Sequence, residues 1–178
     1  MNILMNSVPE KSLEEIIAPL ADAASNSSIK SIATKALASI GYESWIIACD
    51  NPSSIFGMSH LMSGIPLQWV ATYAAKGYVK IDPIIKHCRE SEEALYWDAV
   101  DGWDAATDNV RDFMRNLHVS GFGSGLAVPL RSSSGKHGIL SIVNSQPLNE
   151  TRGSYLENLA SARAIGMAVH SALERIRT

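Results

Sequence analysis

Cysteine is scarce in this 178-residue chain, which contains only Cys49 and Cys88. Two thiols allow one disulfide at most, so a disulfide scaffold is excluded and reduced thiols are expected. Charge of one sign is missing too: 15 Lys and Arg face 18 Asp and Glu, a formal −3. No dense basic stripe is present, so the chain lacks the electrostatic footprint of a nucleic-acid surface. No apolar run reaches the roughly 20 residues of a membrane span. Residues 1–7 lack the basic-then-apolar pattern of a signal peptide. The expectation is a cytoplasmic protein with no membrane partner. The five histidines show no metal-ligand spacing, so neither metal nor other cofactor is expected. There is no Gly-rich phosphate loop, and Gly123-Ser124-Gly125 lacks the outer spacing of a nucleophile elbow. His87 and Cys88 are adjacent, but neighbours on a helix point about 100° apart. Cys49, in an apolar run, reads as an inert core thiol.

What is present is an ordinary core. Hydrophobic residues make up 46 % and charged residues 19 %, enough for one folded domain over residues 1–178. Residues 12–24 have apolar positions at helical spacing, a Ser12/Glu15 capping box, and Pro19 as a kink or break. A second helix is expected from Ser27 or Ser28 to Gly41. Residues 44–49 read as a strand buried on both faces, residues 50–54 as a turn, and residues 55–62 as the returning strand. Pro66 suits the first position of a helix over residues 66–76, with Gly77 just past its end. Asp82 suits the N-cap of a helix from Pro83 to about residue 90. Residues 95–97 suit a short strand and 109–118 a helix. Residues 123–131 and 136–144 form a hairpin around residues 132–135, and 149–177 a long closing helix. Hairpins imply antiparallel pairing, so one antiparallel sheet with helices on both faces is expected.

The segment from Ile65 to Trp97 holds most of the chemistry. Trp69 and Tyr73 lie four residues apart, on one helical face. They either anchor that helix to the sheet or present an indole N–H and a phenol O–H to a ligand carbonyl. Asp82 is explained by capping alone, yet a carboxylate has lone pairs left for a ligand amide. Alternation in the second hairpin puts Gly125, Ala127 and Pro129 on one strand face, against Leu126, Val128 and Leu130 on the other. Ile139, Ser141 and Val143 share a face of the partner strand. The small face either lets a helix pack close or leaves room for a ligand.

These residues resemble a known family. Pro66-x-x-Trp69-x-x-x-Tyr73, Gly77-Tyr78-x-x-x-Asp82-Pro83 and Trp97 are similar to the autoinducer-binding domain of LuxR-type quorum-sensing regulators. The run from Gly121 to Leu130, the Gly135 turn and the strand through Ser141 are similar to its second signature. The resemblance implies an α/β (α+β) fold, a three-layer α/β/α sandwich around a five-stranded antiparallel sheet. It implies an N-acyl-homoserine lactone as signal ligand, buried between the sheet and one helical layer. By position, Trp69 would donate to the lactone carbonyl and Asp82 would accept from the amide N–H. Tyr73 would donate to the acyl carbonyl with support from Ser141, and Trp97 would pack on the lactone ring. The tail would run among Ile46, Ala48, Leu61, Phe122, Ala127 and Ile139, with Phe113 and Leu117 near the head group. Many relatives carry Tyr where Ile65 stands, which removes a hydroxyl. The family's C-terminal helix-turn-helix domain has no counterpart here, so the chain is expected to be the sensory part of a longer regulator. That regulator would be a homodimer that meets DNA only through the other domain. Two other readings stay open: an enzyme on a small acylated metabolite with Asp82 or His87 as base, and a ligand-free domain dimerising through its last helix.

Overall fold

The computed structural model describes residues 11–51, 53 and 57–177. Ser12 opens the first helix with the expected capping box. Its hydroxyl accepts from the Glu15 N–H at 3.2 Å, and the Glu15 carboxylate accepts from the Ser12 N–H at 2.8 Å. Pro19 then divides the helix: α1 (Leu13–Ile17) passes into a 3-10 turn over Ala18–Ala21. The second helix, α2 (Asn26–Ser39), is capped by Ser25 rather than by Ser27 or Ser28. Ser25 has Ser28 three residues on, and the two close reciprocal backbone hydrogen bonds.

Strand β1 (Trp45–Asp50) follows, then β2 (Met58–Ser63) and α3 (Leu67–Ala75). Of the expected turn and returning strand, residues 52 and 54–56 lie outside the described residues. Pro66 caps α3 in an extended conformation (φ −60°, ψ 130°) instead of entering it, so the helix begins one residue later than expected. Gly77 ends that region at φ +62°, a conformation that favours glycine. The remaining elements are α4 (Pro83–Glu90), β3 (Leu95–Asp98), α5 (Asp108–Val119), β4 (Ser124–Arg131), β5 (His137–Asn144) and α6 (Leu148–Arg175).

The strands form one antiparallel sheet in the order β2-β1-β5-β4-β3. Each face carries its own core. On one side α2 and α6 cover Ile47, Leu126, Val128, Leu130, Leu140 and Ile142. On the other, α3, α4 and α5 cover Ala48, Ala127, Ile139 and Val143. The result is the three-layer sandwich around a five-stranded antiparallel sheet. Helix α6 lies close to the first face: a Cβ on Gly166 would come 2.9 Å from Leu130 Cδ2. Its Ala162, Ile165, Val169, Ala172 and Leu173 are buried there, so its apolar face is spent on the sheet. Among the described residues no helix is long and apolar enough to cross a membrane.

Candidate ligand-binding site

Between the sheet and α3–α5 lies a cavity of about 180 Å³. That is comparable to the roughly 150 Å³ of an engineered cavity that admits benzene. Its floor is Ile46 and Ala48 from β1 with Ile139, Ser141 and Val143 from β5. Its roof is Trp69 and Tyr73 from α3, Asp82, Ile84 and Ile85 around the start of α4, and Phe113 and Leu117 from α5. Trp97 and Phe122 complete the wall. The pairing explains the floor: Ile46 lies opposite Ser141, Ala48 opposite Ile139, and Ala127 opposite Ser141. Period-2 alternation then turns this whole row to one side.

Asp82 is the chemical centre. It is 8 % exposed and caps α4: Oδ1 accepts from the Ile84 N–H at 2.8 Å and the Ile85 N–H at 3.2 Å. Oδ2 accepts from the Tyr73 hydroxyl at 2.8 Å. Burial pushes the Asp82 carboxyl above the usual carboxylate range, opposed by these three donors. Burial, and then the Asp82 charge, pushes the Tyr73 phenol up, so its proton stays in place. A phenol has one proton. While it binds Asp82, Tyr73 does not also donate to an acyl carbonyl, the role its position suggested.

The helical side is aromatic. The Trp69 ring centroid lies 5.9 Å from those of Tyr73, Tyr78, Phe113 and Phe122. Tyr78 and Phe113 meet edge to face at 5.0 Å. The sheet side is small, and one glycine there has a direct purpose. Trp97 pairs with Gly125 across β3 and β4, and a Cβ on Gly125 would fall 2.2 Å from Trp97 Cζ2. Only glycine lets the indole lie flat on the strand.

Two expected residues do not reach the cavity. Leu61 faces the other core, because β2 pairs Leu61 with Ile47 and turns His60 and Met62 toward the cavity instead. Both faces are apolar, so alternation alone gave no preference, and the register decided it. Ala127 belongs to the correct face but is fully covered and stays behind the wall. Residues not anticipated at the wall are His60, Met62, Val70, Ala74, Val79, Ile84 and Ile85, besides Val143 and Ile65. Val143 had a signal, its shared face with Ser141. The helical ones had little, since an apolar residue beside Trp69 or Asp82 is equally expected in a core.

The nucleophile candidates stand apart. His87 Nε2 lies 3.0 Å from the Glu93 carbonyl oxygen, and His87 is not on the cavity wall. Burial pushes the Cys88 thiol up to about 12, and the Cys49 thiol likewise to about 12. Neither is a thiolate at neutral pH.

An apolar cavity with a buried carboxylate, a phenol and two indoles at its wall suits a small ligand with an apolar body and a polar end. The family model of the autoinducer binding domain matches residues 25–175. The chain belongs to that family. The transcriptional activators AnoR of Acinetobacter nosocomialis and TraR of Rhizobium radiobacter are similar to this autoinducer-binding domain. AnoR is 29 % identical over 118 residues, covering 66 % of this chain and 47 % of AnoR. TraR is 22 % identical over 111 residues, covering 62 % and 47 %. The chain thus spans about half the length of these relatives. Among solved structures, the N-acylhomoserine lactone dependent LuxR-family factor CepR2 of Burkholderia cenocepacia has the same fold. Its TM-score is 0.76 at 22 % identity, over 93 % of this chain and 95 % of that one. Escherichia coli SdiA, in complex with octanoyl-rac-glycerol, aligns at TM-score 0.67 and 15 % identity, covering 93 % of this chain and 66 % of SdiA. The chain is therefore an autoinducer-binding domain, and the curated proteins it is similar to are transcriptional activators.

Proposed function

We propose that the cavity binds an N-acyl-homoserine lactone, and that the bound signal stabilises the fold and controls DNA binding by a separate domain of a homodimeric cytoplasmic regulator. One observation carries this reading. A carboxylate offers about four lone-pair positions. Asp82 fills three of them with the Ile84 and Ile85 N–H groups and the Tyr73 hydroxyl. The fourth fits an amide N–H, and a charged acceptor in an apolar cavity makes the stronger kind of hydrogen bond. Tyr73 then holds Asp82 in position, and Ser141, across the floor, takes the role of donor to the acyl carbonyl. Trp69 donates to the lactone carbonyl. The acyl chain lies along Ile46, Ala48, Ile139 and Ile85, toward the exposed His60 and Ala74.

The test is calorimetric titration and thermal melting across a panel of acyl-homoserine lactones of different chain length, aryl acyl groups included. Tight binding by one class, about tenfold weaker with Asp82→Asn, is the expected result, since one charge-assisted hydrogen bond is at stake. No binding and no melting shift across the panel overturns the reading.

A further inference from the structure

We propose that the far end of the cavity takes a ligand whose acyl chain ends in a hydroxyl group, aliphatic or phenolic, and that His60 selects it. This rests on the acyl-homoserine lactone reading above and names the class of acyl chain, which that reading leaves open.

The cavity runs across the sheet, and its two sides differ. Strands β2 and β3 are the opposite edges, four inter-strand steps or about 19 Å apart. Trp97 stands on β3, and Asp82 opens α4, which packs over β3, β4 and β5. The carboxylate of the wall and its second indole thus belong to the β3 side. Among the described residues the β2 side of the wall has one polar side chain, that of His60. Register aims it. His60 pairs with Ala48, and Ala48 with Ile139, both on the cavity floor. Side chains in one cross-strand row share a face, so the imidazole stands over the same cavity. Its neighbours on the wall are apolar: Ala48 beside it, Met62 two residues on, Ile139 beyond. Among the described residues no hydrogen bond holds the His60 ring, whereas the His87 ring meets the Glu93 carbonyl and the His137 ring the Arg131 guanidinium. His60 is exposed, so solvent reaches its nitrogens while the cavity is open.

The spacing suits an acyl chain. Ser141, the donor assigned above to the acyl carbonyl, lies two strands and two residues from His60, about 12 Å on the diagonal. An eight-carbon chain or a hydroxycinnamoyl group spans most of that gap and leaves the length of a hydrogen bond. The last atom of the chain then decides the energy. A methyl end takes water from the imidazole and returns nothing, which costs as an unmade hydrogen bond does. Met62, on the same strand face, is the kind of side chain a methyl end calls for. A hydroxyl end replaces the water. At neutral pH an imidazole is mostly uncharged, with one N–H donor and one acceptor nitrogen, and a hydroxyl serves as partner to either.

The experiment uses two matched pairs of homoserine lactones. N-(8-hydroxyoctanoyl) is set against N-octanoyl, and N-(4-hydroxycinnamoyl) against N-cinnamoyl. All four are titrated calorimetrically into wild type and into His60→Phe, which keeps a flat ring without nitrogen. His60→Leu serves if the phenylalanine closes the mouth. Wild type is expected to prefer the hydroxyl member of at least one pair by about tenfold. The pair that shows the preference tells the aliphatic chain from the phenolic one. Both variants are expected to lose the preference and to melt close to wild type, since the position is exposed. Equal affinity within both pairs in wild type, or a preference that survives in a folded variant, overturns selection by His60 alone. So does binding of other members of the panel above but of none of these four. Failure across the whole panel overturns the ligand reading itself.

Discussion

The two faces of one sheet are built on opposite plans. Under α2 and α6 the strands present Ile47, Leu126, Val128, Leu130, Leu140 and Ile142, all at 1 % exposure or less. The helices there bring small residues, such as Ala33, Ala36, Ala162, Gly166 and Ala172, among large ones, such as Ile29, Leu37, Ile165 and Val169. Under α3–α5 the balance differs. The strands present Ala48, Ala127 and Ser141 beside Ile139 and Val143, and the helices bring Trp69, Tyr73 and Phe113. The first arrangement interdigitates and fills. The second sets rigid rings over a shallow floor, and rings that stand off a small-residue surface leave space. The difference teaches that a single alternating strand can serve both sides: in β5, Leu140 and Ile142 hold the fold, while Ile139, Ser141 and Val143 line the cavity.

The strongest way to break this comparison is to enlarge an alanine on each side. Ala33→Leu should destabilise by about 1–3 kcal/mol, because the filled face has no room. Ala48→Leu should leave stability near wild type or raise it, because its methyl groups enter the cavity, and should abolish ligand binding. Melting curves and titrations on both variants check the pair; equal destabilisation would mean the two faces are alike. Next in size is the ligand's own effect. Signal at about 100 times its Kd should add about 2.7 kcal/mol, a melting rise of about 5–10 °C for a domain of this size. Leu140→Ala, on the filled face, should cost about 2–5 kcal/mol and leave the ligand-induced rise unchanged.

A smaller test concerns Tyr73→Phe. It removes the donor on Asp82 Oδ2 but keeps the ring contacts with Trp69 and Phe113. Stability should fall by about 1 kcal/mol, and ligand affinity should fall because Asp82 loses its positioning partner. Unchanged affinity with lower stability would restrict Tyr73 to the fold.

The smallest test uses pH. His170 on α6 is 1 % exposed, with neither ring nitrogen partnered among the described residues. Burial holds it below its ordinary 6.5, with Glu174 opposing, Arg177 adding, and smaller opposite effects from Asp50 at the end of β1 and Lys136 in the β4–β5 turn. A depressed folded value means that the native state binds fewer protons than the unfolded chain. Stability is then full above 6.5 and is lost as pH falls below it. His170→Leu should flatten the acid slope of melting temperature. Asp82 acts in the opposite sense: its raised value makes its contribution fall as pH rises above 3.8 through the folded value.

Much of this molecule was legible in its local sequence. The Ser12 and Asp82 caps, the break at Pro19, the end of α3 at Gly77 and the alternation of β4 all follow from interactions within a few residues. The Trp69–Tyr73 face follows too, because helical spacing is a local property. The sequence by itself determined the elements and which residues of β4 and β5 share a face. Only the tertiary structure decided that Leu61 turns to the filled core and His60 to the cavity, because the register with β1 comes from long-range pairing between two apolar faces. It also decided that the Tyr73 proton goes to Asp82 and that the Trp97 N–H finds no acceptor among the described residues. A side chain's polar partner is set by what other elements bring within 3 Å of it, a distance fixed by packing rather than by spacing along the chain.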